Sequence, residues 1–208
     1  MYRSLLTVDL KDPSFRQALG NAQDMHRNLM RAFTFTDTET PRAEESLLYT
    51  IMEDNNTPVL YVLSRNEPDW AKVRGVSLYQ RRPPVCADAL RDKFMPGTVL
   101  SFRLFASPTK KVAREGKLSA RKYLELPEER RDWLLRHAQK GGFAVKQYTE
   151  EKTQEVTGFK KSGKVYHKGV VFSGILEITD RDAFWKAYCE GIGPGKAYGL
   201  GMLLVKKV

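Results

Sequence analysis

The sequence predicts an α+β fold of two ferredoxin-like domains in tandem, each with the order β-α-β-β-α-β and an antiparallel sheet. Strand-like and helix-like segments follow that order once, and they follow it again after residues 81–84 (RRPP), where two prolines indicate a linker. A length of 208 residues suffices for two halves of about 100 residues each. We therefore expect an N-terminal domain at 1–84 and a C-terminal domain at 85–208.

Turn and helix-start signals divide the N-terminal half into its elements. Asp-Pro-Ser at 12–14 starts a helix, which apolar residues at near-helical spacing carry to about Phe33. Asp-Asn-Asn at 54–56 is a turn signal between two β-type runs, which predict a hairpin. The predicted elements are a strand at 4–10, the helix to about 33, strands at 46–53 and 58–65, a short helix at 67–73 and a strand at 76–80.

The C-terminal half follows the same order, although no sequence repeat links it to the first half. Pro127 lies in the first turn of a helix, and the glycine pair 141–142 ends that helix. The predicted elements are a strand at 98–106, a helix at 128–140, strands at 143–148 and 165–178, a helix at 180–189 and a strand at 197–205.

Charge and cysteine content restrict the possible functions. Lys and Arg number 35 against 25 Asp and Glu, and the net charge of +10 favours a polyanionic partner over a merely basic protein. Cys86 and Cys189 lack CxxC spacing, so neither a disulfide framework nor a zinc site is predicted. The chain has no 18-residue apolar run, and residues 1–10 do not have the character of a signal peptide. We expect a cytoplasmic protein without membrane contact.

Two stretches between the predicted elements concentrate the basic residues. Residues 110–122 (KKVAREGKLSARK) are rich in Lys and Arg, and residues 159–168 (FKKSGKVYHK) carry four lysines around Ser162-Gly163. Such runs are often only solvated faces. The second stretch, however, has the form of a hairpin with Ser-Gly at its tip, and a basic β-ribbon can enter a groove or follow a phosphate backbone. We therefore predict nucleic-acid contact for it.

A glycine-rich stretch precedes the last predicted strand. Residues 191–201 (GIGPGKAYGLG) specify a backbone loop, because glycine opens positive φ angles and allows close approach. Successive N–H groups beside Lys196 could cradle a phosphate, although a simple turn into the final strand explains the spacing equally well. The stretch has no Lys-Ser/Thr pair, so it is not a nucleotide-triphosphate loop of the Walker type.

Three histidines are the candidates for acid-base chemistry, and His26 is the best of them. It lies within the predicted N-terminal helix and is flanked by Arg27 and Arg31. Arg31 is five residues further on, roughly 140° around the helix. From spacing alone, a surface histidine on a basic helix is the favoured interpretation, and His137 and His167 have still less to distinguish them.

Four motifs together resemble the CasE family. They are residues 21–32 (NAQDMHRNLMRA), residues 102–110 (FRLFASPTK), residues 162–164 (SGK) and the terminal GIGPGKAYGLGML. Members of this family are CRISPR-associated endoribonucleases that process precursor CRISPR RNA in type I-E systems and remain in the Cascade complex with its other subunits. The resemblance implies two tandem domains like the RNA-recognition motif, and cleavage that needs no metal and no cofactor.

The resemblance also implies a mechanism and catalytic residues. The ribose 2′-hydroxyl attacks the scissile phosphate, which leaves a 2′,3′-cyclic phosphate or 3′-phosphate and a 5′-hydroxyl. His26 matches the family's catalytic histidine, as general base or as general acid. Arg31 stands where a basic residue can stabilise the transition state. The chain departs from some relatives at Gln23, where they carry a tyrosine, so a His-Tyr pair is in doubt.

For RNA binding, the resemblance implies a repeat hairpin whose stem lies in a basic cleft and is cut at its 3′ base. A-form stems are recognised mainly through shape and backbone. The residues implied in these contacts are Arg27, Arg103, Lys110, Lys111, Arg114 and Lys117, the ribbon lysines Lys160, Lys161, Lys164 and Lys168, and the loop residues Gly193, Gly195 and Lys196.

Two other classes of protein fit parts of the same pattern. A non-catalytic RNA-binding subunit of a CRISPR ribonucleoprotein would keep the glycine-rich stretch and the ribbon but would not depend on His26. A basic, ribosome-associated protein of the same fold would bind RNA without preferring a repeat hairpin.

Overall fold

The computed structural model describes residues 1–34, 46–54, 57–114, 117–151, 153–160 and 163–208. Two antiparallel sheets and a separate two-stranded hairpin make up its β-structure. The strands are β1 (Tyr2–Val8), β2 (Leu48–Asp54), β3 (Thr57–Ser64), β4 (Val76–Leu78), β5 (Val85–Cys86), β6 (Val99–Ala106), β7 (Thr109–Arg114), β8 (Lys117–Tyr123), β9 (Phe143–Glu150), β10 (Gln154–Lys160), β11 (Gly163–Ile178) and β12 (Leu203–Lys207). The helices are α1 (Pro13–Gly20), α2 (Ala22–Met30), α3 (Pro127–Lys140) and α4 (Arg181–Glu190).

The two sheets share one strand order. In the first sheet the order is β4-β1-β3-β2, with the short β5 also on β1, and in the second it is β12-β6-β11-β9, with β10 also on β11. When the short β5 and the hairpin strands β7, β8 and β10 are not counted, the order in both halves is 4-1-3-2, with every neighbour antiparallel. This is the order that results when two β-α-β units interleave in one sheet. The predicted α+β fold of two tandem ferredoxin-like halves is confirmed, while the boundary at residue 84 stays a prediction.

Each half has a helix-covered core, and the two cores touch. In the first half, Phe15 of α1 and Leu29 of α2 are fully buried in a cluster that also includes Leu60 of β3. In the second half, α3 and α4 cover the sheet, and the cluster extends to Leu48 and Leu63 of the first sheet. The halves are therefore packed against each other through apolar side chains.

The helix predicted from 12 to 33 is two helices. Asn21 separates α1 from α2 with an extended backbone (φ −138°, ψ 99°), and its side chain accepts a hydrogen bond from the Gln23 N–H. The apolar spacing continues across Asn21, so the periodicity alone did not show the break. Asparagine at this position ends one helix and caps the next.

Three other predicted elements differ from the structure. The helix predicted at 67–73 is only a 3-10 turn, Trp70–Lys72. The last strand begins at Leu203 instead of 197, because Gly195 and Gly199, both at φ +82°, enclose a 3-10 turn at Lys196–Tyr198. The basic stretch 110–122, predicted to lie between elements, forms the β7–β8 hairpin. In the described ranges, no helix is long and apolar enough to cross a membrane.

Candidate active site and nucleic-acid interface

Helix α2 buries His26 on the face that also carries Gln23. The two side chains are three residues apart, which places them on one side of the helix, and their exposed fractions are 4% and 6%. Met25 and Leu29 turn to the apolar core of the first half. The interpretation of His26 as a surface histidine is therefore wrong, because its side chain is almost completely buried.

The two arginines near His26 lie in different settings. Arg27 is exposed, and its Nη1 lies 3.0 Å from Asp24 Oδ1, one turn earlier. Arg31 is the C-cap of α2 and is also exposed, with its backbone N–H bonded to the carbonyls of Asn28 and Leu29. Neither guanidinium shares the buried face of His26, so both lie at the solvent side of the helix.

Asn21 joins α2 to the β10–β11 hairpin, the ribbon formed by β10 and the first half of β11. Asn21 Oδ1 accepts from the Gln23 N–H at 3.1 Å and from the Phe159 N–H at 3.1 Å. Gly158 faces the same helix end so closely that an added Cβ would lie 3.0 Å from the Gln23 nitrogen. The predicted ribbon is thus in direct backbone contact with the predicted catalytic helix.

The glycine loop, residues 191–201, is pressed against both halves of the molecule. A Cβ at Gly199 would lie 3.0 Å from the Tyr49 ring, and one at Gly191 would lie 3.0 Å from a Leu48 methyl. A Cβ at Gly193 would lie 2.8 Å from the Trp133 ring, and one at Gly195 would lie 2.8 Å from Leu200. These glycines have positive φ and are needed for packing, whatever they bind. Burial lowers the pKa of the Lys196 ammonium between them, and Glu190 acts in the opposite direction.

Tyr198 connects this loop to both of the other elements. Its hydroxyl lies 3.4 Å from Gln23 Oε1 on α2. Its ring centroid lies 5.5 Å from that of His167 on β11, and Lys160 Nζ stands 5.3 Å from the ring centroid. Burial, with Lys160 and Arg121 nearby, lowers the pKa of His167. The helix, the glycine loop and the ribbon therefore meet at one tyrosine.

Asn21, His167 and Tyr198 were not assigned a role from the sequence. Asn21 carried a local signal, since asparagine before a helical run with Asp24 three residues later is a capping pattern. Tyr198 lies within the glycine-rich stretch but, like His167, gave no local signal, because its partners come from distant parts of the chain.

The β7–β8 hairpin presents like charges directly opposite each other. Lys110 pairs in register with Lys122, and Lys111 pairs with Arg121. Lys110 Nζ is held at 2.8 Å by Glu129 Oε1 of α3. The side chains of the predicted contact residues Arg114 and Lys117 lie outside the described part of the structure.

The β10–β11 hairpin carries the remaining predicted lysines. Lys164 is exposed opposite Phe159, and Lys161 lies outside the described residues. Lys168 Nζ lies 2.6 Å from Glu125 Oε2 and 4.9 Å from the centroid of the Tyr123 ring, at the end of β8. The bases of the two basic hairpins are therefore adjacent.

Arg103 is not brought to this surface. It lies on β6 beside a cavity of about 390 Å³ between the two sheets, which Arg3, Tyr61 and Lys206 also line. Its guanidinium is paired with Glu151, with Nη2 at 2.9 Å from Oε2. Within the ranges described, no cluster of three or more His, Cys, Asp or Glu side chains is placed to hold a metal ion.

Comparison with known proteins agrees with this geometry. A profile of the family described as "CRISPR associated protein" matches residues 1–207. The CRISPR-associated endoribonuclease Cse3 of Thermus thermophilus is 32% identical over 219 residues, which cover 99% of each chain. The solved structure of Thermus thermophilus Cse3 bound to an RNA representing a pre-cleavage complex is 29% identical, with a TM-score of 0.82 over 99% of this chain and 98% of that one.

A chain of a CRISPR RNA-guided surveillance complex, pre-nicking, is 27% identical, with a TM-score of 0.71 and 100% of both chains covered. The profile match and the Cse3 relative each span almost the whole chain. The chain therefore belongs to the CRISPR-associated family of Cse3, the CasE family that its motifs predict.

Proposed function

We propose that this protein is an endoribonuclease that cleaves the repeat hairpins of precursor CRISPR RNA and keeps the product for a CRISPR surveillance complex in the cytoplasm. The relatives support the reaction, since one is named an endoribonuclease and another is a chain of a surveillance complex. The observation that carries the proposal is the contact of α2 with the β10–β11 hairpin through Asn21. An RNA held by the hairpin lies next to the helix that bears His26.

The proposed reaction uses the RNA's own 2′-hydroxyl as the nucleophile. The 2′-oxygen attacks the scissile phosphorus and the bond to the 5′-oxygen breaks, which leaves a 2′,3′-cyclic phosphate and a 5′-hydroxyl. One proton leaves the 2′-oxygen and one arrives at the 5′-oxygen, and His26 makes one of these two transfers. Arg31, exposed at the C-terminal end of α2, supplies positive charge toward the extra negative charge on phosphorus, and Arg27, exposed on the same helix, binds the RNA backbone.

The basic hairpins supply the binding surface. Like charges directly opposite each other in a β-ladder are unfavourable, and the described side chains of the β7–β8 hairpin include two such pairs, Lys110 with Lys122 and Lys111 with Arg121. A phosphate backbone offsets this repulsion and releases counterions as it binds. The ion pairs that hold Lys110 and Lys168 are on the surface, where such pairs are weak enough for a phosphate to replace the carboxylate.

The test is cleavage of a repeat hairpin RNA in EDTA by the wild type, by His26→Ala and by His137→Ala. General acid-base catalysis contributes about 10²- to 10⁴-fold, so His26→Ala should lose at least about 100-fold in rate while it still binds the hairpin. His137 stacks on Trp133 at a ring distance of 4.0 Å, away from α2, and its variant should cleave as the wild type does. A substrate with a 2′-deoxy sugar upstream of the cut should bind and stay intact.

Each other outcome has a distinct meaning. Undiminished cleavage by His26→Ala removes His26 from the reaction. Binding without cleavage by the wild type makes the chain a non-catalytic RNA-binding subunit. Equal affinity for repeat and unrelated stem-loops makes it a general RNA-binding protein.

A further inference from the structure

Tyr198 of the glycine loop places its hydroxyl against Gln23, which lies three residues before His26 on α2. The Oη of Tyr198 is 3.4 Å from Gln23 Oε1. An amide oxygen can only accept a hydrogen bond, so the phenol donates. In this orientation of the Gln23 amide, the NH₂ group points away from Tyr198.

The inference rests on the cleavage reaction proposed above. We propose that Gln23 is a further catalytic residue whose Nε2 donates a hydrogen bond to a non-bridging oxygen of the scissile phosphate, and that Tyr198 is the positioning residue that orients this amide. Within the described part of the chain, Gln23 uses its backbone N–H toward Asn21 and its Oε1 toward Tyr198, and Nε2 has no hydrogen bond. Its two N–H donors are available to a ligand.

The position of Gln23 on α2 suits this role. Gln23 and His26 are three residues apart on one helix face, and the turn Lys196–Tyr198 contacts that helix. A phosphate that the His26 imidazole reaches is therefore also within reach of the side chain at position 23. A neutral donor that is already oriented, and mostly removed from water, stabilises charge that grows on phosphorus more than an exposed donor does.

Two further sets of contacts place Tyr198, one made by the neighbouring Gly199 and one made by the β10–β11 hairpin. Gly199 brings the loop against the Tyr49 ring, where an added Cβ would lie at 3.0 Å. From the β10–β11 hairpin, His167 lies at a ring distance of 5.5 Å and Lys160 Nζ stands 5.3 Å from the ring centroid. A side chain locked by its neighbours can orient another group precisely enough for catalysis. The hairpin that binds RNA is thus also the element that holds the positioning residue.

The experiment separates the cleavage rate from binding in Gln23→Leu, Tyr198→Phe and the double variant. Single-turnover rates are measured at saturating protein, and the Kd for the uncleaved 2′-deoxy hairpin is measured separately. Loss of one transition-state donor costs about 10²- to 10³-fold in the rate, so Gln23→Leu should be slower by about 100-fold. Tyr198→Phe should be slower by about 10-fold, with Kd changed by less than about 2-fold in both.

The double variant gives the decisive result. If Tyr198 acts through Gln23, the double variant is no slower than Gln23→Leu alone. A further substrate carries sulfur in place of the non-bridging phosphate oxygen that Gln23 contacts. Sulfur accepts hydrogen bonds poorly, so this replacement should lower the cleavage rate of the wild type more than that of Gln23→Leu. Tyr148→Phe is the matched control, because it removes a tyrosine hydroxyl from β9, outside both hairpins, where the ring packs 6.0 Å from that of Phe172, and it should leave the rate unchanged.

Three results overturn the inference. Cleavage by Gln23→Leu at the wild-type rate removes Gln23 from the reaction. Losses that multiply in the double variant show that Tyr198 acts independently of Gln23. His26→Ala, measured alongside, distinguishes these failures from failure of the proposed function. If His26→Ala is inactive while Gln23→Leu is fully active, the inference about Gln23 is wrong and the proposed function stands. If the wild type does not cleave, both the inference and the proposed function are wrong.

Discussion

The two basic hairpins carry similar charge but are attached to the molecule in different ways. The β10–β11 hairpin contacts the start of α2 through the Phe159 N–H, bonded to Asn21 Oδ1 at 3.1 Å, and contacts the glycine loop through Tyr198. The β7–β8 hairpin contacts the rest of the molecule through side chains, in the ion pair of Lys110 with Glu129 on α3 and in the contact of Tyr123 with Lys168 on β11. The Phe159 contact joins a backbone N–H to the side chain that caps α2, whereas a surface ion pair is worth about 0–1 kcal/mol.

This difference predicts separate roles for the two hairpins, since both should bind RNA but β10–β11 should also position the candidate active site. In the proposed RNA complex both hairpins offer lysines to the phosphate backbone, and among the described residues it is the β10–β11 hairpin that also contacts Asn21 at the start of α2 and Tyr198. Damage to β10–β11 should therefore reduce the rate of cleavage of bound RNA. Damage to β7–β8 should reduce affinity alone.

The largest effect is expected from Gly158→Val on β10. A Cβ at position 158 would lie 3.0 Å from the Gln23 nitrogen and 3.2 Å from Asn21 Oδ1, so the hairpin must move away from α2. Misplacement by about 1 Å can cost about 100-fold in rate, and we expect a loss of that size at saturating protein. Gln154→Val, at the exposed start of the same strand, is the control and should cleave normally. A normal rate in Gly158→Val would show that this contact does not position the site.

The elements of the candidate site were largely predictable from the sequence, but the contacts between those elements were not. His26, the β10–β11 lysines and the glycine loop each stand in a local motif. The contacts that join them link residues 21 and 159, which are 138 positions apart, and residues 23 and 198, which are 175 apart. No periodicity or spacing rule spans such distances, so the burial of His26 and the contacts of Tyr198 became visible only in the folded chain.

The fold was predictable where the chain has apolar periodicity. β6 alternates buried and more exposed residues along its length, and its predicted bounds, 98–106, match Val99–Ala106. The β7–β8 hairpin was missed because its many Lys and Arg residues hide its β-character. Such a composition in a strand is explained by a partner that neutralises the charge.

A smaller effect is expected from Asn21→Ala, for which Asp12→Ala is a matched control. Asn21 caps α2 and Asp12 caps α1, so each variant should lose about 1 kcal/mol of stability in urea unfolding. Only Asn21 also accepts the Phe159 N–H of the hairpin. We therefore expect about a 10-fold lower single-turnover rate for Asn21→Ala and an unchanged rate for Asp12→Ala. Equal rates in the two variants would mean that Asn21 serves only the helix.

Lys111→Ala and Arg121→Ala on the β7–β8 hairpin should leave the cleavage rate of bound RNA unchanged, which is the smallest effect expected. The two residues are exposed and face each other across the ladder, so each should give up about one phosphate contact. Affinity should fall, and the slope of log K against log salt should become shallower by about 0.9 per variant. Lys146→Ala, which removes a cation paired with Glu177 on the second sheet, should leave both quantities unchanged.

The rate at saturating protein decides whether the two hairpins differ as the structure indicates. If Lys111→Ala and Arg121→Ala keep the wild-type rate once RNA is bound, β7–β8 contributes binding energy equally to the ground state and the transition state. If their saturated rates fall as in Gly158→Val, β7–β8 also takes part in positioning. That result would require the ion pair between Lys110 and Glu129 on α3 to hold the β7–β8 hairpin in place as firmly as the Asn21 contact holds β10–β11. A surface ion pair that salt screens is too weak for this.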